Sequence, residues 1–212
     1  MPAVLKVGLT GGIAVGKSAV GEMFAALGTQ VVQADQISHQ LMQPGGAVYQ
    51  KVIDHFGPKI LDADGGVNRA RLAELAFGTA TQPSRVQELN QIVHPAVIRR
   101  QEEWMAEVGA RDPDAIAMVE AALILEAGMA DSFDRLIVVT CRPEQRIERW
   151  AQRLKVDQEV ARREVTRRMA AQMPDEEKIK AADYVIDNSG SLDETAQQVR
   201  TIYAELKKEA QP

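Results

Sequence analysis

Hydrophobic residues fall into two kinds of run along this chain. Short apolar runs bounded by turn-forming residues recur at Leu5–Leu9, Gln30–Val32, Ala115–Val119, Leu136–Thr140 and Tyr184–Ile186. Four of the five are nearly continuous, as expected of strands buried on both faces of a parallel sheet. Longer segments, in which apolar residues return every three or four positions, lie at Ser18–Leu27, Pro143–Arg153 and Leu192–Lys208. These read as helices covering the sheet, so the alternation predicts an α/β chain built on five parallel strands.

The rhythm breaks between the second and third strands. From Asp35 to about Gly109 no strand pattern stands out, and helices are predicted at Asp35–Met42, Gly46–Phe56, Asn68–Phe77 and Ser84–Val108. The stretch "GPKILDADGG" reads as their connecting turn region. An insertion beyond the carboxyl end of a strand lies where open α/β sheets bind ligands. It is read as a substrate-holding subdomain, although most of its Leu, Ile and Ala residues would serve a core in either case. The expected division is a core of residues 1–34, 110–142 and 173–212, a helical subdomain of 35–109 and a lid region of 143–172.

Composition narrows the class. With 212 residues, 45% hydrophobic and 26% charged, the sequence has the balance of a soluble globular chain with an ample core. A net charge of −5 supplies no basic footprint for nucleic acid. One cysteine, Cys141, reads as a buried strand-end residue. The N-terminal apolar stretch is interrupted by Lys6 and glycines, and no apolar run reaches membrane length. A cytoplasmic location with no membrane partner is therefore expected.

The segment Gly11-Gly12-Ile13-Ala14-Val15-Gly16-Lys17-Ser18 matches G-x-x-x-x-G-K-[ST] and stands between a predicted strand and a predicted helix. In that context it is a phosphate-binding loop: its N–H groups and the helix N-terminus offer partial positive charge to nucleotide phosphates. Gly11, Ala14, Val15, Gly16, Lys17, Ser18 and Ala19 are expected to hold the nucleotide, with Lys17 at the β- and γ-phosphates and the Ser18 hydroxyl on Mg²⁺. A guanine-reading N-K-x-D is missing, for the sequence contains no Asn-Lys pair, and a D-x-x-G match at Asp62 to Gly65 lies in a turn-like region. "AIAMVE", ending at Glu120, is only weakly like the carboxylate-ended strand of motor ATPases. Small-molecule kinases remain, and they need an acceptor-side carboxylate and mobile cations.

Both are present. "VVQAD" puts Asp35 at the carboxyl end of the second strand, which is expected beside the first, where it could orient an acceptor hydroxyl and take its proton. The same residue also suits the N-cap of "DQISHQL". From Arg142 to Arg168 there are nine Lys or Arg against five Asp or Glu, a local surplus of four cations in an acidic chain. Arg146, Arg149 and Arg153 fall on one face of a helix begun at Pro143. Arg149 and Arg153 are assigned to a lid over the phosphates, since the arginine fork gives bidentate hydrogen bonds. Arg162, Arg163, Arg167 and Arg168 are assigned to a solvated face.

These residues carry a resemblance that covers nearly the whole chain, to the dephospho-coenzyme A kinases. Its pieces are "LTGGIAVGKS", "VVQAD", "NRARLAELAF", "VHPAV", "EAALILE", the Arg149-x-x-x-Arg153 pair and "MAAQMPDEEKIKAADYVIDNSGSLDE", the last being the most diagnostic. The resemblance implies ATP-dependent phosphorylation of the ribose 3′-hydroxyl of dephospho-CoA. It also implies a P-loop kinase fold with a helical CoA-binding domain and an arginine-bearing lid. His94 would contact substrate phosphate or pantetheine, or be a satisfied structural histidine. The partners would be dephospho-CoA and ATP, on a monomer or weak homo-oligomer. The chain departs from the family pattern at Gln33, usually Asp, and at Ala14 and Val15, commonly Gly and Ser; it also lacks a proline in "AALILE". The exchange at 14 is harmless if φ there is negative. Glu120 and Glu126 bracket an apolar segment and either approach Mg²⁺ or substrate, or serve as caps and solvent-facing groups. Trp104 and Trp150 read as packing residues, and His39 and His55 are unassigned. A nucleotide-binding regulator, or a kinase for another ribose or nucleoside acceptor, is the rival reading.

Overall fold

A computed structural model describes residues 4–77 and 83–211. The five predicted strands are all present: β1 (Leu5–Gly11), β2 (Gln30–Gln33), β3 (Ile116–Glu120), β4 (Arg135–Thr140) and β5 (Tyr184–Asp187). They form one parallel sheet in the order β2-β3-β1-β4-β5. The second strand is therefore not beside the first, as the sequence reading placed it; β3 lies between them. The cause is visible in the residues. The β3 sequence IAMVE is buried throughout and suits an interior position, whereas QVVQ of β2 is short, polar at both ends and only partly buried, which suits an edge.

The chain divides into two compact units, Met1–Gln33 with Met105–Pro212, and Ala34–Trp104. In the first, helices α1 (Lys17–Ala26) and α9 (Leu192–Ala210) bury Val20, Phe24, Val199, Ile202 and Leu206 against Leu5, Val7, Leu9, Met118, Ile137 and Ile186 of the sheet. Each such fully buried side chain contributes about 1.5–3 kcal/mol relative to exposure. The start of α9 is fixed by a capping box in which the Ser191 hydroxyl accepts the Glu194 N–H and the Glu194 carboxylate accepts the Ser191 N–H. Two further helices of this unit, α6 (Pro143–Leu154) and α7 (Gln158–Ala170), pack together around Trp150, Ala151, Ala161 and Val165. A short helix, α8 (Asp175–Ala181), precedes β5.

The second unit is helical: α2 (Ala34–Leu41), α3 (Tyr49–Phe56), α4 (Arg69–Phe77) and the portion of α5 (Val86–Arg111) up to Trp104. Its starts and ends fall within a few residues of the expected ones. "GPKILDADGG" is a turn region, with a 3₁₀ turn at Pro58–Ile60 and an antiparallel bridge between Leu61 and Val67.

Candidate active site

The loop between β1 and α1 is shaped by two unusual backbone positions. Gly16, the N-cap of α1, has φ +92°, and a Cβ there would stand 2.3 Å from Asn188 Nδ2, so only glycine fits. With glycine as the cap, no side chain closes the helix N-terminus, whose N–H groups stay available to an anion. Ala14 has φ +55°. The φ is positive, so the condition under which the exchange at 14 would be harmless is not met. Strain of roughly 1–2 kcal/mol is expected for a non-glycine residue there. The Ala14 side chain and its neighbour Ile13 pack into the cluster around Trp150, Ala161 and Val165, which offsets part of it.

Lys17 folds back on the loop, its Nζ donating to the carbonyls of Gly11 at 3.0 Å and Gly12 at 3.1 Å. The Ser18 hydroxyl donates to Glu120 Oε1 at 2.7 Å. Glu120 ends β3, immediately beside β1, and is 8% exposed; its Oε2 is buried without a hydrogen-bond partner among the described residues. A hydroxyl beside a carboxylate with a buried, uncommitted oxygen is a hard-oxygen donor set of the kind Mg²⁺ takes together with substrate phosphates. Ser18 and Glu120 therefore fit that ion.

The three arginines of α6 have different surroundings. Arg146 is 2% exposed; its guanidinium pairs with Asp175 and donates to the Cys141 carbonyl at 3.3 Å. It also lies against the loop, since a Cβ on Gly12 would meet its Nη1 at 2.7 Å. Arg149 is half-buried and uses both ends of its fork on backbone carbonyls, Nη1 to Val15 at 3.0 Å and Nη2 to Asn188 at 2.8 Å. Arg153 is exposed, its guanidinium 4.8 Å from the centre of the Trp150 ring. Helical spacing put the three on one side of α6, but packing against the loop buries the first, engages the second and leaves the third at the surface. Arg168 leaves the solvated set, because it stacks 4.6 Å from the Trp150 ring. Arg162, Arg163 and Arg167 are exposed as expected, the first and third paired with Glu159 and Glu164.

Asp35 is exposed and sits in the first turn of α2, one residue inside the helix, where its charge complements the helix dipole instead of capping it. His94, on α5, is half-buried, and that burial lowers its pKa below the ordinary 6.5. Asp35 and His94 belong to the 34–104 unit, whereas the loop, Glu120 and the arginines belong to the other. Cys141 is buried directly after β4, as expected of a strand-end residue, and its thiol pKa is raised by burial. Trp150 is a packing residue, also as expected.

Two side-chain networks escape the sequence reading, which weighs Glu126 only for Mg²⁺ or substrate, a cap or solvent. Glu126 forms an ion pair with the fully buried Lys178 at 2.7 Å and accepts the Met173 N–H at 3.0 Å. Asn188, 4% exposed, donates from Nδ2 to the Val15 carbonyl at 2.8 Å and accepts the Thr195 hydroxyl at 2.9 Å. The available signal was positional: Asn188 is the polar residue immediately beyond the carboxyl end of β5, the end at which such sheets build sites.

The family model for dephospho-CoA kinase matches residues 5–194. The chain belongs to the dephospho-CoA kinase family. It is 38% identical over 204 residues to the dephospho-CoA kinase of Aquifex aeolicus strain VF5, covering 96% of this chain and 98% of that one. The corresponding protein of Carboxydothermus hydrogenoformans is 39% identical over 201 residues, covering 95% and 94%. Among solved structures, a Thermus thermophilus protein superposes with a TM-score of 0.75 at 28% identity, over 96% of this chain and 98% of that one. No helix among the described residues is long and apolar enough to cross a membrane.

Proposed function

We propose that this chain transfers the γ-phosphoryl group of ATP to the ribose 3′-hydroxyl of dephospho-CoA, giving coenzyme A and ADP. The observation that carries the reading is the loop itself: an uncapped helix N-terminus, Lys17 across the loop carbonyls and Ser18 hydrogen-bonded to the buried Glu120, in a chain of this family. Phosphoryl transfer depends chiefly on positioning and charge neutralisation. In this reading the loop N–H groups and the Lys17 ammonium hold the phosphates. Ser18 and Glu120 hold Mg²⁺, which supplies charge neutralisation on the phosphate oxygens when bound. Asp35 accepts the proton of the 3′-hydroxyl as the oxygen–phosphorus bond forms and the β–γ bridge breaks. Arg153, whose guanidinium is exposed, balances charge on the transferred group, while Arg149 acts through the loop backbone. His94 and the 35–109 helices hold dephospho-CoA, and 143–172 forms the lid. The lone, buried Cys141 suits a reducing cytoplasm. A monomer or weak homo-oligomer suffices for this chemistry.

The test is a mass-resolved product analysis after incubation with MgATP and, separately, dephospho-CoA, AMP, adenosine and pantothenate. Phosphorylation of dephospho-CoA alone is expected. Phosphorylation of AMP or adenosine with none of dephospho-CoA would overturn the acceptor assignment, and ATP turnover with no phosphorylated acceptor would favour a nucleotide-binding regulator.

A further inference from the structure

We infer that Asn188 and Thr195 are positioning residues for phosphate binding, acting on the loop through a single peptide group. The peptide concerned joins Val15 to Gly16. Its carbonyl accepts two hydrogen bonds, from Arg149 Nη1 at 3.0 Å and from Asn188 Nδ2 at 2.8 Å. A trans peptide is planar, with its C=O and N–H pointing in opposite directions. Pinning the Val15 carbonyl on two donors therefore fixes the direction of the Gly16 N–H, one of the loop groups that a phosphate must use. Two donors on one carbonyl, one of them charged, also polarise the peptide and strengthen its N–H as a donor.

The orientation of the Asn188 amide is itself determined. The Val15 carbonyl can only accept, so the amide nitrogen faces it. Thr195, 0% exposed on α9, supports that orientation by donating its one hydroxyl proton to Asn188 Oδ1 at 2.9 Å in preference to the Ser191 carbonyl at 3.2 Å. The Asn188 main chain is held too: its N–H donates to the Thr140 carbonyl at 2.8 Å, and its carbonyl accepts Arg149 Nη2 at 2.8 Å. The side chain occupies the space that a Cβ on Gly16 would need. Asn188 thus belongs to the loop as a fixed template, although 172 residues separate it in sequence from Gly16.

This rests on the reading of the loop as the triphosphate cradle, and the test separates the two. Binding of sodium tripolyphosphate and of dephospho-CoA is measured by calorimetry, together with kcat and KM for ATP, on Asn188→Asp, Thr195→Val and Thr195→Ser. Asn188→Asp sets a carboxylate oxygen against the Val15 carbonyl, and Thr195→Val removes the hydroxyl that orients the amide while keeping its shape. Each is expected to weaken tripolyphosphate about tenfold and to raise the KM for ATP, with dephospho-CoA affinity unchanged; Thr195→Ser, which keeps the hydroxyl, restores near-wild-type binding. Tripolyphosphate affinities within twofold of wild type in both impaired variants would overturn the inference. So would an equal loss for dephospho-CoA, which would mark a general structural role. A wild-type chain that binds dephospho-CoA but not tripolyphosphate would refute the cradle reading itself.

Discussion

Removing the charge of Glu126 should be far more damaging than removing the charge of its partner, Lys178. The two groups are 2.7 Å apart, but Lys178 is 0% exposed and the Glu126 side chain 19% exposed. In Glu126→Gln the side chain keeps its shape and an oxygen for the Met173 N–H, yet the buried ammonium loses its counter-charge. Breaking a buried pair from that side costs about 3–5 kcal/mol. In Lys178→Met the carboxylate left behind still has the Met173 N–H and access to water, so the loss falls to about 1–2 kcal/mol. For a chain of this size these losses correspond to falls in Tm of about 6–20 °C and about 2–8 °C. The double variant should be more stable than Glu126→Gln alone, since it no longer buries an unpaired charge. Urea unfolding at neutral pH, with calorimetric Tm values alongside, measures all four proteins. The reasoning fails if Glu126→Gln lies within 1 kcal/mol of wild type, or if Lys178→Met is the more damaging of the two.

Asp35→Asn should lower kcat by about 10²–10⁴-fold with little change in the KM for ATP, while the exposed first-turn position limits the stability change to about 1 kcal/mol or less; a rise in KM at unchanged kcat would refute the base assignment. Arg153→Lys should reduce kcat about tenfold at saturating ATP, and Arg163→Lys should leave it unchanged. Equal activity in the two would reduce the Arg153 guanidinium to its stacking on Trp150. The folded pKa of His94 lies below 6.5, so its contribution to stability is fully present above that value and is lost as pH falls through the folded pKa. His94→Asn should therefore lose less Tm than wild type between pH 7.5 and pH 5.5, and parallel losses in the two proteins would exclude the effect.

The strands, the phosphate loop and seven of the helices were legible because each is written in contiguous residues: apolar runs, three-to-four spacing and a glycine-rich signature. Helices α7 (Gln158–Ala170) and α8 (Asp175–Ala181) were not, since both are rich in charged residues and show little apolar periodicity. Strand order was not. Its clue lay in the contrast between the polar ends of QVVQ and the buried IAMVE, and reading it would have brought Glu120, ahead of Asp35, to the strand beside the loop. The destinations of Arg146, Arg149 and Arg153 were illegible for another reason. Helical spacing states which side chains share a side, but Asp175, Val15, Asn188 and Trp150, which decide where each guanidinium settles, come from separate parts of the chain. The sign of φ at Ala14 is a question the sequence raises but cannot settle, because alanine seldom adopts a positive φ and its presence argues for a negative one.

Ile13 and Ala14 are packed on the same cluster as Trp150, Ala161 and Val165, so separating the α6–α7 pair would strip packing from the loop. A fluctuation that parts α6 from α7 removes the surface on which the loop's strained residue rests, so loop amides and α7 amides should exchange with solvent at related rates. An anion that tightens the loop would then slow exchange more than a hundred residues further along the chain, in a helix it never touches.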